Sequence, residues 1–203
     1  MTGPNHSKTP QQRNVSRALI VVDVQNDFCP GGTLATEEGG NVAKKIAALL
    51  SNQDDYAVVV ATQDWHIDPG EHFSDAPDFV NSWPVHCVAQ SDGADFHPAL
   101  QGYPFDAVFR KGEYAAAYSG FEGADHGTSL NEYLLEHAIT NVDIVGIATD
   151  YCVRATALDA VANGYVVRIL TDYVAAVAET TGVAALSDIA REGATVVDGS
   201  SQN

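Results

Sequence analysis

The chain has 203 residues, 45% of them apolar and 18% charged, a length and composition that suit one globular domain and exclude a disordered or fibrous chain. No apolar run approaches the ~18 residues of a membrane span. With 10 basic against 27 acidic residues the net charge is −17, which excludes a nucleic-acid backbone or an anionic membrane as the main partner, because both repel such a surface.

Residues 1–16 are polar, carry two prolines and lack an apolar signal segment, so they read as a disordered tail on a cytoplasmic protein. Residues 18–24 (ALIVVDV) form a β-branched run of the kind buried on both faces of a sheet. A Pro-Gly-Gly loop follows, then Val42, Ile46, Leu49 and Leu50 at helical spacing and a second strand over 57–61 (AVVVA). Residues 64–106 hold Pro69, Pro77, Pro84, Pro98 and Pro104 without a sustained period. So long a loop in a compact domain reads either as an unrecognised regular element or as a functional loop, one that a bound metal could order.

Beyond it come a short strand near 107–109, a helix from Ser129 with Glu132 completing a capping box, and a buried strand over 142–148. A helix over 152–162 closed by Gly164, a strand over 165–170, a helix over 180–191 and a strand over 195–197 complete the pattern. Strands alternating with helices predict a doubly wound α/β fold, a Rossmann-like three-layer sandwich. Its mainly parallel sheet has six strands, covered by helices on both faces. Ligands in such folds bind at the carboxyl ends of the strands. No glycine-rich nucleotide-binding motif is present. The domain is expected over 17–198, with a second tail at 199–203.

Four residues just past the second strand have metal-ligand chemistry. Asp64 and His66 share one side of an extended segment, and His72 and His86 return from the loop. One carboxylate with three imidazoles suits a divalent zinc, iron or manganese ion, and the lack of a cysteine in the set argues against a closed structural zinc site. Packing of the histidines on Trp65 and Trp83 is the alternative. Cys152 follows a strand and opens a helix, whose N-terminus favours the thiolate. Asp23 ends the first strand and offers a carboxylate to accept a thiol proton, and Lys111 offers a cation to stabilise a thiolate. Taken singly, each also fits a structural role. Cys29 and Cys87 read as structural, and three cysteines in unrelated contexts point to a reducing compartment rather than a disulfide framework.

Six stretches together carry a resemblance: DVQNDF at 23–28, DWHIDPGEHFS at 64–74, SWPVHCV at 82–88, FRKG at 109–112, YAAAYSGF at 114–121 and GIATDYCV at 146–153. They resemble the nicotinamidase/pyrazinamidase group of isochorismatase-like cysteine hydrolases, over about residues 17–197. The resemblance implies a catalytic triad of Asp23, Lys111 and Cys152, and a single divalent metal on Asp64, His66, His72 and His86. It further implies an aromatic clamp from Phe28 and Trp83, pocket positions for Tyr114 and Tyr118, a cis peptide at 147–148, and an oxyanion hole from the N–H groups of Ala148 and Cys152. The implied reaction is hydrolysis of nicotinamide, and of pyrazinamide-type amides, to the acid and ammonia in NAD salvage, by a monomer or homo-oligomer whose partner is the small substrate. Hydrolysis of another small amide, attack by a metal-bound hydroxide with Cys152 incidental, and metal binding without catalysis are the competing readings.

Overall fold

In the computed structural model, residues 16–51 and 56–198 are described; the tails expected at 1–16 and 199–203 lie outside them but for Ser16. Strands β1 (Arg17–Val22), β2 (Val58–Asp64), β3 (Ala107–Lys111), β4 (Ala124–Asp125), β5 (Thr128–Ser129), β6 (Asn141–Ile147), β7 (Val166–Ala175) and β8 (Thr195–Val197) form one sheet in the order β5-β4-β3-β2-β1-β6-β7-β8. All pairings from β3 across to β8 are parallel, and the β3–β4 and β4–β5 pairings are antiparallel. The sheet therefore has eight strands rather than six. The two extra ones span two residues each around the His126-Gly127 turn, too short to leave a period in the sequence.

β1 explains the layering. Ala18, Ile20 and Val22 point into one core with Leu130 and Leu134 of helix α2 (Leu130–Glu136), Ala157 of α3 (Arg154–Ala162) and Ile189 of α4 (Glu179–Arg191). Leu19 and Val21 point into the other, against Val42, Ile46 and Leu50 of α1 (Gly39–Leu50). Residues 18 to 22 are wholly buried, so the uniform apolar run follows from two covered faces and not from one. The α2 start carries the expected capping box, with Ser129 accepting from the Glu132 N–H and Glu132 capping back.

The chain leaves β1 toward β2 and β3 on one side and later returns beside β1 as β6, continuing outward to β7 and β8. The carboxyl ends of β1 and β6 flank the switch point, where a doubly wound sheet opens a crevice. At the opposite, amino-terminal side Asp143 of β6 is fully buried and binds Arg17 of β1, Arg168 of β7 at 2.5 and 2.8 Å, and the Tyr56 hydroxyl at 3.0 Å. Three adjacent strands are thus pinned at one place. Asp143→Ala strands two partly buried guanidinium groups and is expected to cost about 3 kcal/mol, read as a lowered urea midpoint; an unchanged midpoint would remove the pin from the account.

The segment 65–106 is ordered by its own backbone. Trp83 N–H donates to His72 O at 2.8 Å and Ser74 N–H to Trp83 O at 2.9 Å, while His66 N–H donates to Cys87 O and Ala89 N–H to His66 O, both at 2.9 Å. Asp78 Oδ1 gathers the N–H groups of Val80, Asn81 and Ser82. These bridges, none of them periodic in sequence, lay the strands of loop side by side and bring His66, His72 and His86 to one place.

Candidate active site

Asp23 sits one residue past β1, fully buried and at φ +46°. The Thr62 hydroxyl of β2 donates to its Oδ1 at 2.5 Å and receives its backbone N–H at 3.2 Å, which fixes the carboxylate. Lys111, the last residue of β3, places its buried ammonium 2.9 Å from Asp23 Oδ2, against Asp64 Oδ1, and 3.6 Å from Cys152 Sγ. Ligand atoms of Asp23, Asp64 and Cys152 all lie within 4.8 Å of one another. The glycine after Lys111 is required: at φ +76°, a Cβ on Gly112 would stand 2.6 Å from the His66 ring.

Burial opposes the charge on Lys111, but the Asp23 and Asp64 carboxylates outweigh it and hold the ammonium charged well above the ordinary lysine value. Burial also works against Asp64, yet Lys111 and His66 prevail and keep it ionised below the usual carboxylate range. For Asp23 burial wins over Lys111, with Asp64 adding repulsion, so its carboxyl is raised. Cys152 differs from the sequence expectation. Its thiol is pushed well up by burial, with Lys111 opposing and Asp23 and Asp64 adding to the rise. It occupies the π-helical turn Thr149–Val153 ahead of α3, and the helix start does not overcome desolvation. The resting pair is a thiol beside a carboxylate of raised basicity. Such a pair suits proton transfer during attack rather than a standing thiolate.

The histidines form a second group sharing Asp64. Their ligating nitrogens lie within 4.8 Å of one another, and Asp64 Oδ2 is 3.7 Å from His66 Nε2 and 4.0 Å from His86 Nε2. His66 Nδ1 is 2.6 Å from Gly112 O and His86 Nδ1 is 2.8 Å from Pro84 O. A carbonyl can only accept, so both protons reside on Nδ1 and both Nε2 lone pairs face the carboxylate. Burial together with His66 and His86 holds His72 down at about 4, and burial lowers His86 as well, so these rings are neutral at pH 7. His66 Nε2 and His72 Nδ1 are buried without a hydrogen-bond partner among the described residues. Converging lone pairs, orphaned ring nitrogens and an ionised carboxylate fit a divalent cation and leave packing alone as a poor explanation.

A cavity of about 260 Å³ is lined by Asp64, His72 and His86 of one group and by Cys152 of the other, with Ala148. Phe28 and Trp83 line it. Trp83 Nε1 donates to the Tyr118 hydroxyl at 3.0 Å, and its ring meets Tyr151 edge-on at 5.1 Å. Gly146 lets β6 press against β1 here, since a Cβ on it would come within 2.0 Å of Val22 O. The peptide at Ile147–Ala148 is cis. Tyr114 lies elsewhere: it is 67% exposed and borders a surface groove with Pro69, Glu71 and Ala115. Ile67 and Asp68 donate their N–H groups to Glu113 O, which runs this segment along the outer face of the loop. Tyr151, Leu34, Phe79 and Val177 line the cavity but were not among the residues singled out from sequence. Tyr151 adjoins Cys152 in a quoted stretch; the other three sit in loops with no periodic signal. Cys29 and Cys87 are buried away from the cavity lining, Cys29 with its thiol raised to about 11 by burial.

The chain belongs to the isochorismatase family, whose isochorismatase domain matches residues 17–201. The nicotinamidase/pyrazinamidase of Mycobacterium tuberculosis is 55% identical over 174 residues, covering 85% of this chain and 94% of that one. An L. infantum protein solved in complex with nicotinate superposes with a TM-score of 0.81 at 35% identity, over 92% of this chain and 94% of that one. The pyrazinamidase of Pyrococcus horikoshii, solved in complex with zinc, gives 0.79 at 37% identity over 90% and 99%. No helix among the described residues is long and apolar enough to cross a membrane.

Proposed function

We propose that this protein is a nicotinamidase, a metal-dependent cysteine amidohydrolase that converts nicotinamide and pyrazinamide-type aromatic amides to the acid and ammonia, in NAD salvage. The observation that carries this reading is the meeting of Asp23 and Lys111 with Cys152, which lines a small aromatic cavity together with Asp64, His72 and His86. The kinship with nicotinamidases and pyrazinamidases supplies the substrate class. Residues 17–198 are read as the hydrolase domain, and three unpaired, buried thiols favour a cytoplasmic setting.

Phe28, Trp83, Tyr118 and Tyr151 hold the flat ring and exclude water. As Cys152 Sγ attacks the amide carbonyl, Asp23 takes the thiol proton, and the new oxyanion is received by the N–H groups of Ala148 and Cys152. Asp23 then passes the proton to the amide nitrogen, the C–N bond breaks, and ammonia leaves a thioester on Cys152. Water attacks that thioester while Asp23 accepts its proton. The C–S bond breaks, Asp23 returns the proton to the sulfur, and the acid departs, giving its own proton to solvent to become nicotinate. Lys111 stays charged throughout and holds Asp23 in place. Asp64, His66, His72 and His86 would hold one divalent zinc, iron or manganese ion, which when bound supplies a Lewis-acid anchor for a ring nitrogen.

Elemental analysis is expected to give about one divalent ion per chain, with activity lost on chelation and recovered with zinc, manganese or iron. His72→Ala should lower metal retention and raise KM. Full activity in metal-free protein would overturn the assignment of this site.

A further inference from the structure

Asp150 lies in the turn that separates Ala148 from Cys152, yet it does not line the cavity. Its carboxylate reaches across to the start of α4. Oδ1 accepts from Val177 N–H at 3.0 Å, and Oδ2 accepts from Ala178 N–H at 3.4 Å and from the Thr181 hydroxyl at 2.5 Å. Ala178 is the N-cap of α4 and supplies no side-chain cap of its own. Helix starts are ordinarily capped by a serine, threonine, aspartate or asparagine at that position. Here the carboxylate from the turn that carries Cys152 instead takes the N–H groups of Val177 and of the N-cap residue Ala178 and the first-turn Thr181 hydroxyl.

Those bonds hold the turn as firmly as they hold the helix. At its base the turn is closed by Tyr151 and Val153 N–H groups, which both donate to Ala148 O, at 3.1 and 3.0 Å. Asp150 fixes its outer corner, and it does so on Val177, itself a wall of the cavity. Between the base and the corner lie Tyr151 and Cys152, whose ring and sulfur face the cavity.

We propose that Asp150 is a positioning residue for the reaction: by fastening the turn 149–153 to the start of α4, it sets the direction of the Cys152 sulfur and of the Ala148 and Cys152 N–H groups toward the bound amide. This rests on the reading of Cys152 as the nucleophile. A carboxylate that only stabilised α4 would be replaceable by any other cap, whereas one that aims the turn would not.

Ala178 permits that separation, because it is exposed and its backbone is extended (φ −138°, ψ 145°), the conformation of an ordinary serine cap. Three variants are compared with the holoenzyme: Asp150→Ala, Asp150→Asn, and Asp150→Ala combined with Ala178→Ser. The readouts are the urea midpoint, kcat and KM for ammonia release from nicotinamide, and the iodoacetamide rate at Cys152. Asp150→Ala is expected to lower kcat about 100-fold while KM moves less than about twofold, and to slow alkylation. Asp150→Asn keeps an acceptor for Val177 N–H and should stay within about fivefold of the parent kcat. The self-capped double variant should regain the parent midpoint but keep the depressed kcat and the slowed alkylation.

Recovery of kcat together with the midpoint in the double variant would reduce Asp150 to a helix cap and overturn the proposal, as would a parent-like kcat in Asp150→Ala. If Asp150→Ala fails to fold, the double variant and Asp150→Asn decide the question between them. Alkylation needs no substrate, so absence of nicotinamide turnover in the parent protein would sink the functional reading while leaving the role of Asp150 decided by the alkylation rates.

Discussion

Cys152→Ala is expected to lower ammonia release from nicotinamide about 10⁴-fold or more, with metal content and urea midpoint unchanged. The sulfur lies beside both Asp23 and Lys111, and alanine leaves the turn and its hydrogen bonds to Ala148 O intact. Cys29→Ala should keep the parent kcat, because Cys29 does not line the cavity. In the parent, iodoacetamide should label Cys152 first and nicotinamide should protect it. The selectivity arises from access and from Asp23 as proton acceptor, since burial raises all three thiols and none is a standing thiolate. Retained turnover in Cys152→Ala would return the reaction to attack by a metal-bound hydroxide.

Lys111→Met carries the second large effect. It leaves the buried carboxylates of Asp23 and Asp64 facing each other without the ammonium between them, which should cost about 3–5 kcal/mol at neutral pH and lower kcat about 100-fold or more. The sign of the pH dependence follows from the lost cation. Without it the folded-state carboxyl values rise above their unfolded ones, so the folded protein binds a proton more tightly, and stability lost at neutral pH returns as the pH falls through those raised values. Urea midpoints at pH 7.5 and 5 test this: the gap between variant and parent should narrow at the lower pH. A gap that is absent, or that widens on acidification, would remove Lys111 as the bridge between the two carboxylates.

Much of this was legible in the residues. The run at 18–24 identifies a strand covered on both faces, and its acid at Asp23 falls at a carboxyl end, where such sheets place their ligands. The Ser129 and Glu132 pair marks the start of α2 because capping is a local, short-range event. Clustering of His66, His72 and His86 signals a common site, although the path that joins them is made by long-range backbone bridges such as Trp83 to His72, which no periodicity encodes. β4 and β5 escaped because two residues cannot alternate. Tyr114 and Tyr151 both lie within family-like stretches, yet Tyr151 lines the cavity and Tyr114 is exposed, on a segment whose Glu113 O pairs with the N–H groups of Ile67 and Asp68, a long-range contact that no local pattern encodes. The basicity of Cys152 misled for a related reason: position at a helix start can be read along the chain, while desolvation and the facing carboxylates of Asp23 and Asp64 depend on what other strands bring to it.

The most direct measurement is to incubate the purified, metal-loaded protein with nicotinamide, quench samples over time, and quantify nicotinate, ammonia and the mass of the Cys152-containing peptide. The account predicts nicotinate and ammonia in equal amounts, with a nicotinoyl thioester on Cys152 during turnover and no products from Cys152→Ala. Absence of nicotinate and ammonia, or their release without any acyl group on Cys152 and undiminished in Cys152→Ala, would contradict it.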